Sequence, residues 1–346
     1  MANKITDINA RIGGRAGNDN EKNYINIYAD KFKPLRTPAL TVKRIFSPTS
    51  VERLPQFITQ TYKFGGIEFG NWVNQLRRVD FCLNTIAACY DMQKVLNFPN
   101  NNLGISGKIG LAFGARGYAK AFAHYEPATM VINLTRDRRV DKAAVDLFGN
   151  KLVEYNKNYE LYQKYAAQLR AEHSGYGSLA HEYGHAIDYI CGEFFTKYDT
   201  ALSGGRLTLT SFKNENTARL NFDYAVLKPK RNELQEAFIT AFESFLFTGK
   251  DYDKPSGFYR RVYTFGEKRG EYWMRLNEIW ARIFETYIAY KLSKQGIVNK
   301  VLVRDGKGKY RNELKNQARN VYPTFGEMQK NVRKMDNFIK QIQKLI

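Results

Sequence analysis

Apolar residues recur at helical spacing in several stretches of the chain. The clearest row alternates steps of four and three residues: Trp72, Leu76, Val79, Leu83, Ile86 and Tyr90. This row predicts one helix over about 70–97, which ends before Pro99. The same reasoning predicts helices over about 152–172, 231–247 and 271–293. The chain is therefore expected to be mostly helical.

Two other patterns complete the predicted fold. β-rich runs at 105–113, 118–125 and 129–134, separated by turn residues, predict a small mixed or antiparallel sheet, and the stretch 205–225 alternates like a hairpin. At the C-terminus, apolar residues line one side of a basic amphipathic helix over 331–346, which is expected to dock on the core. Membrane or partner binding by this helix is the alternative. The predicted class is α+β.

Residues 1–60 are polar and punctuated by Gly and Pro, which predicts an extended N-terminal arm. No stretch approaches 18 apolar residues, and the first residues lack an apolar core, so neither a membrane span nor a signal peptide is expected. The cysteines Cys82, Cys89 and Cys191 lack CxxC spacing and are expected to be buried thiols in a reducing compartment.

The charge of the chain restricts its partners. Lys and Arg outnumber Asp and Glu by 54 to 34, which gives a net charge of +20. Such a balance favours polyanionic surroundings, either nucleic acid or acidic protein surfaces. No helix-turn-helix, zinc finger or RNA-recognition motif accompanies the charge, so only bulk charge supports contact with nucleic acid.

A short motif carries the chemistry of the sequence: His181-Glu182-Tyr183-Gly184-His185, an HExxH. On a helix the two histidines lie one turn apart on one face, so both imidazoles can bind one cation, and Glu182 lies beside them as a general base. A chain with this composition would contain roughly 0.002 such motifs by chance. The motif predicts metal-assisted hydrolysis, most often of a peptide bond.

A catalytic zinc needs a third protein ligand, and the residues leave several candidates. The extended motif HExxHxxGxxH is excluded, because Asp188 and Cys191 stand where its Gly and last His would be. The candidates are the histidines His124 and His173, and the carboxylates Glu236, Glu243, Glu278 and Glu285. Glu278 could equally form an i,i+4 ion pair with Arg282.

The chain resembles a known family along most of residues 60–330. Six blocks occur in the family's order: GGIEFGNWVNQ at 65–75, LAFGARG at 111–117, AHYEPATMVINLTR at 123–136, SLAHEYGHAID at 178–188, EYWMRLNEIWARIFETYI at 271–288 and VYPTFGEM at 321–328. They resemble the zincin-like metallopeptidase domain of the large polyvalent proteins of phages and conjugative elements. The resemblance implies a zincin-like domain over 61–330, with insertions near 140–176 and 194–265.

The resemblance also implies roles for individual residues. His181 and His185 would bind zinc, Glu182 would be the general base, and Glu278 the third ligand, with Glu285 as runner-up. Asp188 would orient an imidazole from its outer side or be a helix-surface acid. Two further roles follow from position: Tyr272 would assist an oxyanion, and Arg116 would bind an anionic group or stabilise its loop.

The function implied is that of a zinc-dependent metallopeptidase of a phage or mobile element, acting on a peptide or protein substrate. Zinc is the expected cofactor, and an edge strand of the sheet, the strand ending in VINL at 131–134, is expected to border the active-site cleft. The alternative is a virion structural or cargo protein on a zincin fold, with little or no catalysis, packed near DNA or other virion proteins. The expected location is the virion or the host bacterial cytoplasm, with no membrane partner.

Overall fold

The structure, a computed structural model, describes residues 32–42, 51–71, 75–116, 123–135, 175–195, 201–226, 232–250, 253–303 and 321–346, together with Ala29, Ile45 and Val73. The described part is α+β. Its α-helices are α1 (Leu54–Tyr62), α2 (Gln75–Leu96), α3 (Leu179–Phe195), α4 (Glu215–Val226), α5 (Glu233–Leu246), α6 (Gly257–Arg269), α7 (Leu276–Lys294) and α8 (Phe325–Gln343). Its strands are β1 (Arg36–Thr37), β2 (Ile67–Phe69), β3 (Gly110–Phe113), β4 (Ala123–Glu126), β5 (Val131–Leu134), β6 (Phe247–Thr248), β7 (Lys254–Pro255) and β8 (Val298–Asn299).

The chain divides into two compact units. The first comprises residues 1–182 and 296–304, and the second comprises residues 183–295 and 305–346. The boundary falls inside α3, which is one continuous helix. The helix predicted over about 152–172 and most of the insertion predicted near 140–176 lie outside the described residues. The predicted zincin-like domain over 61–330 stays a prediction.

The first unit contains a four-stranded mixed sheet in the order β2-β3-β5-β4. Strands β2, β3 and β5 are parallel, and β4 runs antiparallel to β5. The prediction that the VINL segment forms a sheet edge is wrong, because this segment is β5 and pairs on both sides, with β3 and with β4. The edges are β2 and β4. That an edge strand borders a cleft stays a prediction.

The two faces of this sheet differ in chemistry, as alternation along a strand requires. One face is apolar and buried, and it carries Ile67, Phe69, Leu111, Phe113, Ile132 and Leu134. Phe81 of α2 stacks on the ring of Phe113 with 4.9 Å between ring centroids. The opposite face carries Glu68, Asn133 and His124, which lie in one row across the strands. Helix α2 therefore packs against the apolar face and leaves polar side chains on the other.

The N-terminal segment is not an extended arm over its whole predicted length of 1–60. Strand β1 pairs with β8, and Arg36 forms two hydrogen bonds of 2.7 and 3.0 Å with the carboxylate of Asp91 on α2. Helix α1 follows, with apolar residues four apart on its buried face: Leu54, Ile58 and Tyr62. The prediction of an extended arm is therefore wrong for the segment that forms α1. The sequence pattern did not reveal this helix, because its apolar row contains only three residues and follows a stretch rich in Pro.

In the second unit, α5, α7 and α8 meet around three buried aromatic side chains. The ring of Phe238 lies 4.5 Å from the ring of Trp280 and 5.4 Å from the ring of Phe338, between centroids. Helix α8 is the predicted amphipathic C-terminal helix, docked by its apolar side. It begins at Phe325, earlier than predicted, because Thr324 and Glu327 form a capping box that satisfies the first amide groups.

The predicted hairpin over 205–225 is wrong, because most of its second half is the helix α4. The side chain of Asn214 accepts a hydrogen bond of 3.0 Å from the amide of Thr217, which is the geometry of a helix N-cap. Ala218 and Phe222 are both buried, one helical turn apart. Phe222 packs edge-on against Phe242 at 5.6 Å. The segment is helical because burial of residues four apart stabilises a helix here, although the sequence alternates as a strand would.

Among the described helices, none is long and apolar enough to cross a membrane.

Candidate metal centre

Helix α3 carries the HExxH motif within an almost fully buried sequence. Its start is anchored by backbone hydrogen bonds to the segment after β8, from Gly177 to the carbonyl of Val301 and from Ala180 to the carbonyl of Leu302. Glu182 is 6% exposed and His185 is 7% exposed. The polar side chains of Glu182 and His185 are therefore largely shielded from solvent.

Helix α7 approaches α3 closely at Gly184, the fourth residue of the motif. A Cβ atom on Gly184 would lie 3.0 Å from Cβ of Phe284 and 3.1 Å from Cα of Ala281. The indole Nε1 of Trp280 donates a hydrogen bond of 3.1 Å to the carbonyl oxygen of Gly184. Gly184 therefore allows this close approach, because a Cβ atom here would force Phe284 or Ala281 to shift by a few tenths of an ångström.

This close approach places Glu278 of α7 beside the motif. Nε2 of His185 and Oε1 of Glu278 are 3.5 Å apart. His181, His185 and Glu278 each offer one ligand atom, and these atoms lie within 4.8 Å of one another. Within the described ranges, this is the one group of His, Cys, Asp and Glu side chains that could hold a metal ion. Glu285, two turns further along α7 and 3% exposed, is not part of it.

The other candidate ligands lie elsewhere or outside the described residues. His124 is on β4, and its Nε2 atom lies 3.1 Å from a carboxylate oxygen of Glu126. Glu236 and Glu243 are both on α5, where Glu243 accepts a hydrogen bond of 3.0 Å from Arg219. His173 lies outside the described residues. The structure thus brings together the two motif histidines and Glu278.

Arg282 is buried, and its guanidinium donates to backbone carbonyls. Its Nε bonds the carbonyl oxygen of Glu278 at 3.0 Å, and its Nη2 bonds that of Trp273 at 2.6 Å. Burial lowers the pKa of Arg282, although the negative charge of Glu278 opposes this effect. The hydrogen bonds of Arg282 hold the turn before α7 against the first turn of the helix.

Asp188 is fully buried, so its alternative role as a helix-surface acid is wrong. Its carboxylate accepts hydrogen bonds from the amide and the hydroxyl of Ser203, at 2.8 and 2.6 Å. Burial raises the pKa of Asp188 to about 6, while the hydrogen bonds from Ser203 and the nearby His185 act in the opposite direction. The acid therefore connects the middle of α3 to the loop that follows this helix.

That loop also supports the start of α7. The amide of Leu276 donates 2.8 Å to the carbonyl oxygen of Leu207, and the amide of Asn277 donates 3.0 Å to that of Gly205. Helix α7 has no side-chain N-cap, so these carbonyls bind two of its first amides. Through Ser203, Gly205 and Leu207, one loop fixes both Asp188 and the helix turn that carries Glu278.

Tyr189 is a residue near the site that the sequence interpretation missed. It follows His185 by four residues on α3, and its hydroxyl lies 3.5 Å from the side-chain nitrogen of Asn277. Asn277 in turn accepts 2.9 Å from the amide of Glu278. Burial raises the pKa of Tyr189, and the charges of Asp188 and Glu278 add to this effect. Helical spacing from His185 was the signal that could have found it.

Tyr272, expected to assist an oxyanion, lies in the short 3-10 helix before α7 and is 46% exposed. Its ring packs edge-on against the ring of Trp273, with 5.4 Å between centroids. Neither observation places its hydroxyl beside the histidines. The role proposed for Tyr272 stays a prediction, and Tyr189 is a tyrosine whose pKa is raised in part by the charge of Glu278.

Arg116 lies on the polar face of the sheet in the first unit. Its guanidinium donates 2.8 Å to Glu68 of β2 and 2.9 Å to Glu126 of β4, and thereby joins the two edge strands. Its backbone is held by the side chain of Asn133, which donates 2.7 Å to the carbonyl of Arg116. Of the two roles considered for Arg116, these contacts favour stabilisation of the loop.

One comparison with known proteins matches part of the chain. Residues 265–345 match the family model described as large polyvalent protein-associated domain 1. The matched range contains α7 with Glu278, and α8, but not the motif helix α3. The match supports an association of the chain with the large polyvalent proteins of phages and mobile elements. No curated protein and no solved structure matches the chain.

Proposed function

We propose that this protein is a zinc-dependent metallopeptidase of a phage or mobile element that hydrolyses peptide bonds. The observation that carries the proposal is the grouping of His181, His185 and Glu278, whose ligand atoms lie within 4.8 Å of one another. Two imidazoles and one carboxylate are a ligand set of catalytic zinc sites, which keep the fourth position open for water or substrate.

The distance between one pair of donor atoms fits zinc, and so do the types of all three donors. Ligand atoms about 2.0–2.2 Å from a tetrahedral zinc lie about 3.3–3.6 Å from each other. The corresponding distance between Nε2 of His185 and Oε1 of Glu278 is 3.5 Å. Magnesium and calcium prefer sites built from oxygen atoms alone. The two imidazoles therefore favour zinc over these cations.

The roles of the chain's own residues follow from their positions. A bound zinc would supply Lewis acidity, which makes water acidic enough to lose a proton near neutral pH. Glu182 would accept that proton at its carboxylate and pass it to the leaving amine. Its 6% exposure favours this role, because few water molecules compete for the proton. Asn277 would hold the backbone of Glu278 in place through the hydrogen bond at 2.9 Å.

The experiment that tests this function compares the zinc-loaded protein with Glu182→Gln on a mixture of peptides from a digested proteome. New peptide termini are counted by mass spectrometry, and the zinc content of both proteins is measured. We expect cleavage by the unchanged protein only, at equal zinc content. Equal cleavage by the variant would exclude Glu182 as the base. No cleavage by either protein, with zinc bound in both, would contradict the peptidase activity.

The family match favours a second candidate, a structural or cargo protein of a virion built around an inactive site. The match to the large polyvalent protein-associated domain 1 covers residues 265–345, which include Glu278 of the candidate centre but not the HExxH motif. Metal analysis of the protein in purified virions separates the two functions. A protein present in many copies per particle and free of zinc would support the structural role, and a zinc-loaded protein present in few copies would support the peptidase.

A further inference from the structure

Helix α8 has two faces with different tasks. Five of its apolar residues are buried: Met328, Met335, Phe338, Ile339 and Ile342. The ring of Phe338 contacts Phe238 of α5 and Trp280 of α7, and Asn331 donates 3.2 Å to the carbonyl of Ser244. These contacts hold the apolar face of α8 against the second unit and leave its exposed face open to a partner.

The open face is a row of residues without apolar side chains, at steps of four and three. Its members are all exposed: Gly326, Lys330, Arg333, Asn337, Lys340 and Lys344. We call the cations of this row, Lys330, Arg333, Lys340 and Lys344, the basic row. At about 1.5 Å per residue the basic row is about 21 Å long. It contains no acidic residue.

The two acidic residues of α8 are bound to neighbouring helices. Glu327 accepts hydrogen bonds of 3.0 and 2.7 Å from the guanidinium of Arg261 on α6. Asp336 accepts 2.7 Å from the hydroxyl of Tyr287 and 2.9 Å from Nζ of Lys291, both on α7. Both carboxylates are therefore unable to neutralise the basic row.

Three cations of the basic row have no carboxylate partner in the described part of the chain: Lys330, Arg333 and Lys340. The fourth, Lys344, lies 3.1 Å from Glu233 in a pair exposed to water on both sides. An ion pair exposed in this way usually stabilises a folded protein very little. A row of like charges without counter-charges instead repels itself and attracts a polyanion.

We propose that the basic row of α8 is a binding surface for the phosphate backbone of nucleic acid, without sequence specificity. A protein partner would need an apolar centre in its interface, and the row offers none. A lipid surface takes up the apolar face of an amphipathic helix, and that face of α8 is buried. A phosphate backbone needs only cations at regular intervals, which the row supplies. The proposal is independent of the metal centre.

The test is the salt dependence of binding to a fluorescent DNA duplex of mixed sequence, measured by anisotropy. The variant Lys330→Gln/Arg333→Gln/Lys340→Gln removes three cations from the row. The matched control Lys213→Gln/Lys250→Gln/Lys254→Gln removes three exposed lysines from elsewhere in the second unit, so both variants lose three positive charges. We expect the row variant to bind about tenfold or more weakly at moderate salt, and to reduce the slope of log K against log salt by about 2–3.

Each other outcome has a defined meaning. Equal losses in the row variant and its control would overturn the proposal, because bulk charge alone would then explain binding. Binding to anionic lipid vesicles but not to DNA would overturn it as well. Thermal unfolding checks that the row variant is folded. The variant Lys330→Arg/Lys340→Arg, which keeps every charge, must bind DNA as the unchanged protein does, whatever the stability of the neutral variant.

Discussion

The indole of Trp280 donates a hydrogen bond of 3.1 Å to the carbonyl oxygen of Gly184, and this bond joins α7, which carries Glu278, to α3, which carries the HExxH motif. Trp280 follows Glu278 by two residues on α7, and Gly184 directly precedes His185 on α3. The absence of a side chain on Gly184 favours this bond, since a Cβ would lie 3.0 Å from Cβ of Phe284. The distance between the candidate ligands is therefore set by a contact that includes no ligand.

Replacing Gly184 by Ala should move the two helices apart. We expect the free energy of unfolding to fall by about 1–3 kcal/mol, the range for an added methyl group in a packed core, and zinc affinity to fall with it. Urea denaturation and zinc titration measure the two effects. In the control Gly326→Ala the new Cβ meets only an oxygen at 3.8 Å, and we expect unchanged or slightly higher stability. A fully stable Gly184→Ala would contradict the close contact.

The assignment of the third ligand predicts different behaviour for two glutamates of one helix. Glu278→Gln should lower zinc affinity by more than about 100-fold, because a neutral amide replaces a charged ligand. Glu285→Gln, on the same helix but outside the group, should leave zinc affinity unchanged. Competition with a chromophoric chelator measures both. An equal loss in the two variants, or a loss only in Glu285→Gln, would contradict the ligand set.

The pair of Glu327 and Arg261 predicts a pH dependence of stability. Burial would raise the pKa of Glu327, but the hydrogen bonds from Arg261 and Thr324 outweigh it and hold the pKa below the usual 4.5. An acid with a lowered folded-state pKa stabilises the fold above its unfolded pKa, and this contribution is lost as pH falls through the folded pKa. Glu327→Gln should therefore cost about 1–2 kcal/mol at pH 7, and this cost should shrink as the pH falls below 4.5.

The measurement for this prediction is urea denaturation of both proteins from pH 7 to pH 3. Glu233→Gln is the control, because the pair of Glu233 with Lys344 is well exposed and is expected to contribute almost nothing at either pH. A difference between Glu327→Gln and the unchanged protein that stays constant over this range would show that its carboxylate charge is not the stabilising feature.

Arg116 offers a test in the first unit. Arg116→Gln should lower the free energy of unfolding by about 1–2 kcal/mol, because two half-buried carboxylates on the edge strands lose their shared cation. The comparison is Arg260→Gln, whose pair with Glu215 is more exposed and is expected to matter less. If Arg116 instead served an external anion, Arg116→Gln would not affect stability, and binding of phosphate would decide.

Parts of the fold were predictable where one pattern dominated. The row from Val79 to Tyr90 gave α2, and the HExxH motif gave α3, since both are apolar on a helical period. A small mixed or antiparallel sheet was predicted, but neither strand β2 nor the strand order was, because strand neighbours depend on contacts between residues distant in the chain. The VINL strand was predicted to be an edge strand because its own sequence does not show that it pairs with both β3 and β4.

The candidate site was predictable in its residue types but not in its support. Spacing gave His181 and His185, and resemblance selected Glu278 among several carboxylates. The roles of Gly184, Asn277 and Tyr189 depend on how closely α3 and α7 approach, and no local pattern encodes that distance. Asp188 was ambiguous for the same reason, because burial and the bonds to Ser203 decide its state.

The loop that holds Asp188 through Ser203 and the start of α7 through Gly205 and Leu207 lies in a segment expected to be an insertion. An insertion that is truly separate can be cut out and its ends rejoined. Here such an excision would release the first turn of α7, and the glutamate with it. Anyone who transplants this centre into another scaffold must therefore move the chain from α3 to α7 as one uninterrupted piece.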